Sequence, residues 1–142
     1  MRVFVTFDVE IWCGGWHDLD ARFPAAFERY VYGRSNAGEF ALPATLEILA
    51  RHGLHGVFFV DPLFAARFGV RHLATIVDLI ASAGQEIQLH LHPEWSDETS
   101  PPLVPRAAHK RPHLASYSLP DQTELIRRGL QLLGEAGCRP VS

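Results

Sequence analysis

A chain of 142 residues is long enough for one domain with a real core. Its 47% apolar and 20% charged content is ordinary for a globular protein, and a net charge of −3 with no basic cluster argues against nucleic acid as a partner. No apolar run approaches the ~20 residues of a membrane helix, so no membrane partner is expected.

The segment Met1 to Asp8 does not read as a signal peptide. Its apolar stretch is short and runs straight into carboxylates, which makes the cytoplasm the default expectation. Cys13 and Cys138 lack any CxxC spacing and read as free thiols.

Val3 to Phe7 predicts a buried strand that leads into Asp8-Val9-Glu10, two carboxylates sharing one face. Ile11 to Asn36 is a long polar and aromatic excursion, with a short helix expected near Pro24 to Tyr30. Leu42, Leu46 and Leu49 follow helical spacing, and Gly53 stops that helix. Gly56 to Val60 is a short, fully apolar strand, and Asp61 after it reads as a cap before Pro62. Leu73, Ile76, Val77 and Ile80 mark an amphipathic helix that ends at Gly84.

From Gln85 to His92 the chain alternates apolar Ile87, Leu89 and Leu91 with polar Glu86, Gln88, His90 and His92. That is a strand with both imidazoles on one face near its carboxyl end, where Pro93 favours termination. Glu94 to Tyr117 is a second long irregular segment. Ser118 caps a helix with Pro120 in its first turn; Leu125, Leu132 and Leu133 form its apolar face, and Gly137 ends it. Arg139 to Ser142 reads as the entry to a fourth strand.

Strand and helix alternate, which predicts an α/β fold with a mainly parallel sheet and helices on one side. In such sheets functional groups gather at the carboxyl ends of the strands, where Asp8, Glu10, Asp61, His90 and His92 all fall. Two imidazoles and a carboxylate can hold an ion with one position left open, and a second carboxylate can take a proton from water. The plain alternative is a set of solvated histidines and acidic residues paired with Arg2 or Arg22. Glu94, four residues after His90, competes with His92 as a ligand. Trp12, Trp16 and Trp95 follow the two clusters and serve either as walls of a site or as loop packing. His109, Lys110, Arg111 and His113 read as a solvated basic loop.

Three segments together resemble the polysaccharide deacetylases of the NodB-homology type (carbohydrate esterase family 4). Thr6-Phe7-Asp8 resembles the first motif of that family. Gly56 to Val60 resembles its second strand, and Gly84 to His90 resembles the approach to its histidine motif. The resemblance implies the first half of a (β/α) barrel, with residues 1–142 forming a single, incomplete domain. It implies Asp8 as catalytic base and Glu10, His90 and His92 as metal ligands, with the roles of Asp8 and Glu10 exchangeable. The cofactor implied is a divalent ion, zinc first, and the substrate an acetylated carbohydrate.

The chain departs from the family in three ways. Val9 stands where a second aspartate is usual, with Glu10 one residue further on. The second histidine is His92, and Glu94 stands at the usual position. The arginine motif and a late histidine of the family would lie beyond Ser142. Residues 1–142 alone are therefore expected to bind metal but turn over little, and to self-associate or require a complementing downstream half.

Two other readings compete. One is a non-catalytic remnant, and the other is an allantoinase-like hydrolase of small cyclic amides. An amidohydrolase with His-x-His would normally carry the pair after its first strand, whereas here it follows the third.

Overall fold

The alternation along each strand sorts the sheet into a helix-covered face and an open one. The computed structural model describes residues 3–138. In chain order these form β1 (Val5–Val9), α1 (Leu19–Phe27) running into a π-helical turn (Glu28–Tyr32), β2 (Arg34–Ser35), β3 (Gly38–Glu39), α2 (Leu42–Arg51) and β4 (Gly56–Val60). Then follow α3 (Ala65–Phe68), α4 (Val70–Ser82), β5 (Glu86–Leu89), 3-10 turns at Pro93–Asp97 and Leu114–Ser116, and α5 (Leu119–Glu135).

β1, β4 and β5 form one parallel sheet in the order β1-β4-β5, while β2 and β3 make a separate two-residue hairpin. The described residues thus give a mixed α/β fold with a three-stranded parallel sheet and no closed barrel. The expected fourth strand at Arg139 lies outside the described residues.

Register decides what each strand residue meets. Phe7 pairs with Phe58 and Phe58 with Ile87, while Val9 pairs with Val60 and Val60 with Leu89. These side chains share the face under the helices. A Cβ at Gly56 would lie 3.3 Å from Leu49 of α2. A Cβ at Gly129 of α5 would come within 2.9 Å of both Leu89 and Leu91, so only glycine lets this helix approach the sheet so closely. Leu73, Ile76 and Ile80 of α4 and Leu125, Leu132 and Leu133 of α5 are fully buried.

Thr6, Asp8, Val57, Phe59, Glu86 and Gln88 alternate onto the opposite, more open face. An incomplete barrel predicts exposed interior apolar residues, Phe4 and Phe58 among them. Phe58 does not follow this. Instead it is 1% exposed and stacks on Phe7 at 4.8 Å between ring centroids. Its neighbour Phe59 takes the open face, because side chains in a strand change sides at every residue. Phe4, the other residue so expected, is 78% exposed.

Two segments differ from the pattern in the sequence. The helix expected near Pro24 begins at Leu19 and includes Pro24. Leu19, Phe23 and Phe27 recur every four residues and are all buried, so this packed stripe outweighs the hydrogen bond that Pro24 cannot donate. The long segment after Pro93 is also less free than its composition suggests. Trp95, Val104 and Tyr117 are buried, and the Tyr117 hydroxyl donates to the carbonyls of Pro93 and Arg111, both at 3.2 Å.

Among the described residues no helix is long and apolar enough to cross a membrane.

Candidate metal centre

Parallel strands bring their carboxyl ends to one rim. The ladder continues one residue past each strand: Asp61 N–H donates to Val9 O and His90 N–H to Val60 O, both at 3.0 Å. Glu10, Asp61 and His90 therefore sit in adjacent positions across the rim. β5 ends at Leu89, so both histidines lie just past the strand rather than in it. His92 is extended and enters the turn Pro93–Asp97.

Glu10, His90 and His92 converge, with one donor atom from each lying within 4.8 Å of the others. Glu10 Oε1 is 3.2 Å from His90 Nε2 and 3.0 Å from His92 Nε2, and the two Nε2 atoms are 3.0 Å apart. Around a tetrahedral ion with bonds of about 2.0–2.1 Å, neighbouring donor atoms would stand roughly 3.3–3.4 Å apart. The triangle is slightly tighter than that, and small rotamer changes would open it. Two nitrogens and one oxygen are a donor set suited to zinc and its first-row neighbours. This group can hold a metal ion.

Trp12 prepares the carboxylate. Its indole Nε1 donates to Glu10 Oε2 at 2.5 Å, which leaves Oε1 turned to the imidazoles. Burial pushes the Glu10 carboxyl up, but the Trp12 N–H and the two imidazoles together outweigh it and hold the group below its ordinary range. The Trp12 ring also packs edge-on against His92 at 4.6 Å.

Asp8 is outside this triangle. It is exposed, and it lines a cleft of about 410 Å³ together with Phe7, Glu10, Trp12, Tyr30, Thr45 and Phe58. Among the described residues Arg22 does not pair with either acidic residue; it donates to the carbonyls of Cys13 and Gly14. Tyr30 and Thr45 carry no motif. They reach the cleft from the π-helical turn and from α2, and only the packing of those elements reveals them.

Asp61 is fully buried. Its Oδ1 accepts from Leu63 N–H at 3.1 Å, as a cap before α3, and from His92 N–H at 3.4 Å. It thereby ties the end of β4 to the histidine turn. Burial drives its carboxyl up to about 7, against the lowering effect of the Leu63 N–H and His92.

Glu94 stands behind His92 rather than in its place. Its Oε2 is 3.6 Å from His92 Nδ1, on the ring nitrogen turned away from the triangle.

The three tryptophans form an edge-to-face chain, Trp12 to Trp16 at 5.9 Å and Trp16 to Trp95 at 5.0 Å. Trp12 lines the cleft, while Trp95 is core. The basic loop is not simply solvated as expected. Lys110 Nζ lies 4.2 Å over the Trp16 ring, donates to Glu94 O at 2.7 Å and pairs with Glu98. Arg111 packs over Tyr117 at 3.7 Å. Cys13 and Cys138 are free.

Compared with known proteins, the chain matches no family model, no curated protein and no solved structure.

Proposed function

We propose that the protein is a metal-dependent hydrolase of acyl groups, of the polysaccharide deacetylase type, and that Glu10, His90 and His92 hold its ion, zinc first. The observation that carries this reading is the convergence of those three side chains at the carboxyl rim of a parallel sheet, beside a cleft lined by a separate carboxylate. The three-stranded parallel sheet also fits the opening portion of a (β/α) barrel.

A divalent ion held there would supply Lewis acidity toward an acyl oxygen and favour ionisation of water. The chain's own residues have distinct tasks. Trp12 fixes one oxygen of Glu10 so that the other faces the histidines. Asp8, free of the ligand triangle, takes a proton from the attacking water as its oxygen bonds to the acyl carbon. The carbon–nitrogen or carbon–oxygen bond then breaks, and the departing amine or alkoxide takes up a proton from solvent, matching the one that Asp8 accepted and releases. The aromatic sides of the cleft, Trp12 and Tyr30, suit the flat face of a sugar ring or a cyclic amide.

The test is zinc uptake followed by assay on acetylated sugar oligomers and on cyclic amides. The assays use residues 1–142 alone and together with any sequence its gene encodes beyond Ser142. One ion per chain is expected, with little release of acetate from residues 1–142 alone and clear release when a complementing downstream sequence is supplied. Asp8→Asn should lower turnover by about 10²–10⁴-fold while leaving uptake intact. Failure to take up any divalent ion would sink the proposal. Hydrolysis of cyclic amides alone would move the substrate to the allantoinase-like class.

A further inference from the structure

We infer that Glu94 is a positioning residue, holding the Nδ1–H of His92 so that its Nε2 lone pair points into the Glu10–His90–His92 triangle. This rests on the metal reading above. A neutral histidine carries one proton, so a ring that ligates through Nε2 must carry it on Nδ1. That N–H then needs an acceptor, and ligating histidines ordinarily donate it to a carboxylate or a carbonyl.

His92 has such a partner on the correct side. Its Nε2 faces Glu10 at 3.0 Å and its Nδ1 faces Glu94 Oε2 at 3.6 Å. The need is mutual. Glu94 is only 9% exposed, and its Oε2 has no hydrogen-bond partner among the described residues. A small rotation of the ring would close the gap to the roughly 2.7–2.9 Å of a charge-assisted bond.

The surroundings leave His92 little other freedom. The Trp12 ring packs edge-on against one side of the imidazole, and Asp61 Oδ1 accepts the backbone N–H of the same residue. Glu94 is held in turn by the buried turn Pro93–Asp97, where Lys110 takes its carbonyl. Local sequence accounts for the arrangement. Pro93 follows the extended His92 and begins a 3-10 turn, which swings the side chain two residues after His92 back behind its ring.

The experiment compares zinc affinity, by competition with a chromogenic chelator, for the wild type, Glu94→Ala and Glu94→Gln. It also follows the His92 Nδ1–H proton resonance of the zinc-loaded proteins. Glu94→Ala should weaken zinc binding by about 10–100-fold. Glu94→Gln keeps the volume and an accepting amide oxygen, so it should recover most of that loss. The Nδ1–H resonance should lie downfield in the wild type, move upfield in Glu94→Ala and persist in Glu94→Gln.

Unchanged affinity in Glu94→Ala, or an unmoved resonance, overturns the inference. A Glu94→Gln variant as weak as Glu94→Ala also overturns it, because a direct ligand behaves that way. A wild-type chain that takes up no zinc removes the metal reading, and this inference with it.

Discussion

His90 and His92 face each other Nε2 to Nε2 at 3.0 Å, although they are two residues apart and β5 has already ended at Leu89. In a regular strand, residues two apart would have Cα atoms roughly 6.5–7 Å apart with their side chains projecting side by side. Here the chain has left the strand before either residue, and the two rings turn inward to one carboxylate oxygen.

On the proposed zinc reading, that relationship makes zinc affinity a direct readout. His90→Ala removes one of three donors, and zinc affinity should fall at least about tenfold. Zinc at 100 times its dissociation constant should raise the unfolding free energy of the wild type by about 2.7 kcal/mol. The same total concentration should raise that of His90→Ala much less. Urea melts with and without the ion, after chelator treatment, measure both.

Asp61 tests how the two strand ends are joined. Asp61→Ala leaves the N–H groups of Leu63 and His92 without their acceptor, at a cost of about 1–3 kcal/mol for each stranded group. Asp61→Asn keeps an accepting oxygen in the same place and should retain most of the stability. Denaturant unfolding of the two variants separates these outcomes, and equal losses would deny Asp61 this role.

His72 supplies a pH dependence remote from the metal centre. It packs between Phe23 and Phe27 at 5.0 and 4.9 Å. Burial, then Arg71, lowers its pKa below the ordinary 6.5. The folded state therefore binds fewer protons at this site than the unfolded state does. The contribution is stable above the ordinary value and is lost as pH falls through it. His72→Gln should make the decline in stability between neutral and mildly acidic pH shallower, as read from melts across that range. A parallel decline in both proteins would contradict this.

The sheet edge carries a prediction about association. β1 pairs only with β4 among the described residues, and Phe4 beside it is 78% exposed. An open edge with an apolar neighbour invites pairing with another chain. Sedimentation velocity should show self-association that Phe4→Lys reduces. A wild-type chain that remains monomeric at high concentration would count against it.

The sequence by itself determined the elements whose pattern is local. The apolar run Gly56 to Val60 is a strand with those bounds, and the alternation that begins at Gln85 marked β5, although both imidazoles lie just past its end. Ser118 accepts from Asp121 N–H at the start of α5, as its position before Leu119-Pro120 implied. Helical spacing likewise marked α2 and α4. Such patterns are legible because period and capping depend on neighbours along the chain.

Tertiary structure decided the rest. In the continuous apolar run of β4, composition does not say which face of the sheet Phe58 or Phe59 occupies; the pairing of Phe58 with Phe7 and Ile87 does. Nor does the sequence say that Glu94 stands behind His92 instead of replacing it, because that depends on how the chain turns after Pro93. Tyr30 and Thr45 reach the cleft only because the π-helical turn and α2 pack beside β1. Residue type and spacing singled out His90, His92 and the Asp8–Glu10 pair, the family resemblance implied Glu10 as the third ligand, and parallel register across β1, β4 and β5 brought the donor atoms of Glu10, His90 and His92 together. Register is a property of strands that are distant in sequence, and no local pattern encodes it.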